Sequence, residues 1–111
     1  MAQTLEQLAQ LRPANTTAAS LYQTPASTET LIKTIFVCNT STAPAKCRIF
    51  HDDNGSTYDE TTALFWDVEI LQNQTLELDV NIMADDSTGN LAVRTDTASA
   101  LTFTAYGSKI T

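Results

Sequence analysis

The stretch Thr75–Met83, TLELDVNIM, alternates without a break: Leu76, Leu78, Val80 and Ile82 fall on every second residue, with Glu77, Asp79 and Asn81 between them. Successive side chains of a strand point to opposite faces. This spacing therefore sets four aliphatic side chains on a core face and three polar ones toward water. A helix, with its period of about 3.6 residues, would scatter the same positions around its axis. The end of the chain repeats the pattern, with Leu101, Phe103 and Ala105 interleaved by Thr102, Thr104 and Tyr106. A chain that reads this way can bury its apolar side chains only by folding into sheets with one wet face and one dry face.

The rest of the sequence from Ala18 onward is consistent with that constraint. The runs ASLYQT, TLIKTIFVCNT, KCRIFH, TALFWDVEI, TLELDVNIM, LAVRT and LTFTAYGSKI are separated by turn-forming segments at Pro25, STAPA, DDNGST, LQNQ, ADDSTGN and DTASA. Seven or eight short strands at intervals of about 10 residues predict a sandwich or barrel. Threonine supplies 19 of the 111 residues, and its β-branched side chain suits a pleated, half-exposed surface better than a helix interior. The expected fold is all-β: one antiparallel β-sandwich, jelly-roll or immunoglobulin-like, over residues 14–111. Residues 1–13 read differently. Thr4-Leu5-Glu6-Gln7 fits a capping box, Leu5, Leu8 and Leu11 follow at helical spacing, and Pro13 ends the run. The spacing predicts a short helical arm. Since so short a helix is marginal alone in water, its leucines should dock on the sandwich or on a neighbouring subunit.

Charge narrows the function classes. With 13 acidic and 6 basic side chains the net charge is −7, and Arg12, Lys33, Lys46, Arg48, Arg94 and Lys109 form no block. Nucleic acid is not an expected partner, because phosphate binding is driven by clustered Lys and Arg. No apolar run approaches the roughly 20 residues that span a bilayer, and MAQTLEQLAQLRP lacks the apolar region of a secretory signal. Synthesis in a cytoplasm is the expectation.

The most conspicuous polar segment is HDDNGSTYDE at residues 51–60, which holds the only histidine and four of the acidic side chains. An EF-hand loop requires Gly at its sixth position. Counting back from Gly55 puts Phe50 at position one, and starting at Asp52 puts Thr57 where Gly is needed, so neither register works. Asp52, Asp53, Asp59 and Glu60 remain as a looser calcium-binding alternative. The reading favoured here is a hairpin connection, for which Asn54-Gly55 is a strong turn signal. His51 is the sole imidazole base and no G-x-S-x-G elbow is present, so no catalytic residue and no cofactor is expected. Cys38 and Cys47 flank the turn STAPA, and two reduced core thiols are the expectation; a disulfide between them, if the two strands form a hairpin, is the alternative. Of Phe65 and Trp66, neighbours on one strand, one should face inward and the other outward. The outward one, with Tyr58, is an interface candidate beside Leu5, Leu8 and Leu11.

The succession LAQLRPANTTAASLYQTPAST, IKTIFVCNTS, RIFHDDNGSTYDETTALFWDV and NLAVRTDTASALTFTAYG resembles small β-sandwich virion proteins of tailed bacteriophages, over nearly the whole chain. The likeness rests on core and turn residues: the VCN element around Cys38, the RIFHDD turn, the strand at Leu64–Asp67 and the final LTFTAYG strand. The resemblance implies a non-enzymatic virion structural protein. On this reading it would be a capsid decoration (cement) protein that binds the major capsid protein on the outer shell, as a homo-oligomer, with a trimer expected. A tail, neck, collar or fibre-associated protein is the alternative, and a carbohydrate- or calcium-binding module is a third.

Overall fold

The computed structural model describes residues Gln3–Thr111. Eight strands follow in order: β1 (Gln3–Leu11), β2 (Ala19–Gln23), β3 (Glu29–Asn39), β4 (Ala45–Asp52), β5 (Ala63–Ile70), β6 (Thr75–Ala84), β7 (Asn90–Thr95) and β8 (Leu101–Ile110). They form two four-stranded sheets, β1-β8-β3-β6 and β2-β7-β4-β5, with every pair antiparallel. Consecutive strands mostly alternate between the sheets, and β4–β5 is the one pair joined directly in sequence. An immunoglobulin domain instead keeps its first two strands side by side in one sheet.

The inner faces of the two sheets share one core. Ile32, Ile35 and Val37 of β3 and Leu101, Phe103 and Ala105 of β8 meet Cys47 and Ile49 of β4 and Leu91 and Val93 of β7, all at most 1% exposed. Two buried polar contacts tie the layers. The Tyr22 hydroxyl on β2 hydrogen-bonds Thr30 Oγ1 on β3 at 2.8 Å. The Asn39 amide, 1% exposed, donates to the carbonyls of Ala43 and Ile70 and accepts from the backbone and hydroxyl of Ser41. Every capacity of that amide is used, which removes the cost of burying it.

No helix is present among the described residues, and the expected N-terminal helical arm is strand β1, paired with β8. The cause is a β-bulge. The register slips between Gln7 and Ala9, so Leu8 is an extra residue, and a bulge breaks the two-residue period of a strand. Leu8, Ala9 and Leu11 all pack against the core while Leu5 stands 76% exposed. A three-residue spacing of leucines thus arises without any helix.

Candidate interaction surface

The β4–β5 connection carries the acidic segment, and three of its four carboxylates, Asp52, Asp53 and Asp59, bond the chain itself. Asp52 accepts the N–H groups of Asn54 (3.3 Å) and Thr57 (2.8 Å) with its two oxygens. Asp59 accepts both the N–H (2.9 Å) and the hydroxyl (2.6 Å) of Thr61; that hydroxyl first, then the N–H, holds its carboxyl below the usual range. Asp53 reaches across to the β6–β7 loop. Its Oδ1 accepts the Asp85 N–H at 2.8 Å and lies 3.2 Å from His51 Nε2, and its carbonyl accepts the Thr88 hydroxyl. Burial opposes ionisation of Asp53, yet the Asp85 N–H and then His51 outweigh it and keep its carboxyl below the ordinary value. Asp85 is pushed up by its hydrogen bond to Asp53 and by that neighbour's charge.

Asp52, Asp53, Asp59 and Glu60 are therefore not gathered around one point, and no cluster of three metal-ligating side chains occurs among the described residues. The turn is a hairpin connection, but Asn54-Gly55 does not act as the sequence suggests: neither residue has positive φ. The carboxylate of Asp52 shapes the turn instead, as Asx turns do.

A second arrangement depends on a bulge in the edge strand β5. Cys47 pairs with Val68 and Ile49 with Phe65, so Arg48 alone faces two residues, Trp66 and Asp67. Asp67 takes up the slack with φ 53°, a left-handed conformation that Asp tolerates better than most residues. Both side chains consequently turn outward beside Arg48. The guanidinium makes two hydrogen bonds to the Asp67 carboxylate (2.6 and 3.1 Å) and lies 3.6 Å from the Trp66 ring centroid. The Arg48 hydrogen bonds hold the Asp67 carboxyl below its usual range, with Lys46 and Arg94 contributing charge.

Trp66 in turn meets Phe50 edge-on, with centroids 6.2 Å apart, and Tyr58 leans on the same ring at 6.1 Å. Phe50 is 1% exposed because these two rings cover it from outside. Trp66 and Leu64 remain 41% and 47% exposed, and Leu71 just beyond β5 is exposed as well. A half-exposed Trp stacked by Arg, with exposed leucines near either end of the same strand, has the composition of an interface anchor.

Among the other sequence candidates, Phe65 turns inward onto the core and Trp66 outward. Leu5 is exposed, whereas Leu8 and Leu11 belong to the flank of the core. Cys38 and Cys47 are free thiols on different sheets: β3 and β4 are joined across the sandwich and form no hairpin. Cys47 faces the core, and burial first, then Asp67 and Asp96, pushes its thiol up to about 12. Cys38 is half-buried, in register with Thr75 and Thr102 on the outer side of its sheet. Sequence reasoning missed Arg48 and Asp67. The inward positions of β5 run Ala63, Phe65, Val68 and Ile70, and the single three-residue step between Phe65 and Val68 is the signal that an extra residue intervenes.

No protein-family model and no curated protein matches the chain. Solved structures do. A chain of infectious bursal disease virus, Gx strain, is similar over 96% of this chain with TM-score 0.50 and 19% identity. One of the Gt strain covers 97% with TM-score 0.43 and 12% identity. In each case the match occupies 29% of the viral chain, so this chain spans less than a third of the length of the proteins it matches. The virus is not a tailed bacteriophage, and at this identity the Gx-strain likeness is one of fold: an all-β chain of two four-stranded antiparallel sheets.

Proposed function

We propose that the chain is a non-enzymatic structural component of a virion, built as a double-sheet jelly roll. The observation that carries this reading is the strand order β1-β8-β3-β6 facing β2-β7-β4-β5, together with the fold likeness to an infectious bursal disease virus chain. Jelly rolls of eight strands recur in viral capsid domains, and also in lectins and cupins, so the step from fold to role is one of analogy. Within that reading, and in keeping with the resemblance to tailed-bacteriophage virion proteins, the chain acts as a capsid decoration protein on the outer shell. Leu64, Trp66 and Leu71 at the β5 edge form the surface that meets the major capsid protein. Trp66 is held in place by Arg48 before binding, so little side-chain freedom is lost on docking.

Quantitative mass spectrometry of purified particles tests this, combined with imaging that locates the chain. Copies on the scale of the major capsid protein and density on the outer shell are expected. A handful of copies at the neck or tail would overturn the decoration reading and leave a tail-associated protein. Absence from purified particles would overturn the virion reading itself. Trp66→Ala should yield a folded protein that no longer decorates shells.

A further inference from the structure

The outer side of the sheet β1-β8-β3-β6 carries side chains of all four strands in matched positions. Four rows of residues run across it in register. The first is Leu5, Ser108, Leu31, Met83; the second Gln7, Tyr106, Thr34, Asp79; the third Gln10, Thr104, Phe36, Glu77. The fourth holds Thr102, Cys38 and Thr75. That these positions lie on the outer side follows from their neighbours, since Ile32, Ile35, Val37, Phe103 and Ala105 are all fully buried in the core; Ser108 alone is covered there, its hydroxyl accepting from the Gln3 amide.

We propose that this face forms an isologous dimer interface, with the twofold axis parallel to the strands. Such an axis keeps each row opposite itself but reverses the strand order, so β1 faces β6 of the second copy and β8 faces β3. The central pairings then set large against small in two successive rows: Tyr106 against Thr34 and Phe36 against Thr104. The flanking pairings are equally matched. Leu5, 76% exposed, meets Met83, 47% exposed; Met83 enters the groove of about 340 Å³ that Leu5, Gln7, Lys33 and Tyr106 line. Gln7 meets Asp79 and Gln10 meets Glu77.

None of those four polar side chains makes a side-chain hydrogen bond in the monomer among the described residues, and each amide can donate to the carboxylate opposite it. No carboxylate is brought against another, so the acidic residues of this net-negative chain do not oppose the contact. Two such faces pack about 10 Å apart with strands within about 30° of each other. Four strands and the rows named cover about 19 by 24 Å, which places the total buried area near the roughly 1,000 Å² of a weak specific interface. This inference stands independently of any virion role.

Sedimentation equilibrium of the full chain over a wide concentration range is the primary test. The mass should rise from 12.1 kDa toward twice that value and stop there. A chain that stays monomeric at the highest soluble concentration, or that forms trimers, overturns the proposal. Leu5→Glu, at an exposed position, should weaken the dimer at least about tenfold with an unchanged circular dichroism spectrum. The double change Gln7→Glu with Gln10→Glu should do the same by setting carboxylates against Asp79 and Glu77, and adding Asp79→Gln with Glu77→Gln should restore association.

In a Cys38→Ser background, Leu5→Cys together with Met83→Cys should give a covalent dimer on oxidation, whereas Leu5→Cys alone should not. Cross-linking of the single variant, or a dimer indifferent to the charge changes, would assign self-association to another surface.

Discussion

The two outer faces of this molecule are finished in different ways. On the sheet β2-β7-β4-β5 the chain covers itself: Tyr58 and Trp66 roof Phe50, Asp67 neutralises Arg48, and the acidic loop caps its own backbone. On the sheet β1-β8-β3-β6, Gln7, Gln10, Asp79 and Glu77 have no such partners among the described residues, and Leu5 and Met83 stand in water. The difference teaches that exposure alone does not distinguish a surface used from a surface left over. Trp66 is exposed but stacked between Arg48 and Phe50, which suits an anchor for a foreign partner. The opposite face carries unbonded amides on one edge strand and carboxylates on the other, which suits the proposed contact with a copy of the same chain.

Mutations should separate the two faces by size of effect. The largest is expected where β8 bends past β3: a Cβ on Gly107 would lie 2.0 Å from the Leu31 carbonyl oxygen and 3.0 Å from Ile32 Cα. Both are backbone atoms and cannot swing aside, so Gly107→Ala should cost more than about 4 kcal/mol or abolish folding. A cooperative melt near that of the wild type would show that the two strands can part without penalty.

Next comes Phe50→Ala on the self-covered face. Its ring is buried, and removing it should cost about 3–5 kcal/mol in urea denaturation. Leu5→Ala and Met83→Ala on the open face should change monomer stability by less than about 0.5 kcal/mol. Equal losses from both sets would erase the contrast between the faces.

Acid should act mainly through the self-covered side and its loops. The carboxyls of Asp53, Asp59, Asp67 and Asp86 are held below the ordinary 3.8. Their stabilisation is present above that value and is lost as pH falls through their lower folded values. Asp85 is held above 3.8, so its contribution has the opposite sign: present below 3.8 and lost as pH rises through its folded value. Melting temperatures should decline on acidification below 3.8, and Asp53→Asn should flatten the decline. An unchanged slope in that variant would remove the Asp53 tie between loops as its cause. The smallest effect is a labelling difference: a thiol reagent should modify Cys38 in the native protein and leave Cys47 untouched until unfolding. Protection of Cys38 should grow with protein concentration if its face closes on a second copy.

Much of the fold was legible because alternation is a local property. The strands from Ala19 onward sit where the runs of apolar and Thr residues place them, and β6 has its aliphatic side chains on one face as TLELDVNIM requires. Strand partners were not legible. Nothing local to STAPA says that the chain crosses from one sheet to the other there, and the expectation that Cys38 and Cys47 face each other fails on that one connection. Bulges were the other hidden element. A single extra residue at Leu8 turned a strand into an apparent helix, and another beside Asp67 brought Trp66 and Arg48 together. The acidic loop is a turn in which Asp52, Asp53 and Asp59 bond backbone N–H groups, a use of carboxylates that composition alone does not announce.

The bulges have a consequence for how the protein behaves in a crowd. Each of the four outermost strands carries one: β1 at Leu8, β2 at Leu21, β5 at Trp66 and Asp67, and β6 between Asp79 and Ile82. An interrupted edge offers no long, straight row of free amides and carbonyls for another chain to zip onto. Many copies can therefore be held close together without their sheets fusing into ribbons. A molecule of this kind keeps its rims closed to strand addition and leaves its side chains to make contacts, as a tile does and a thread does not.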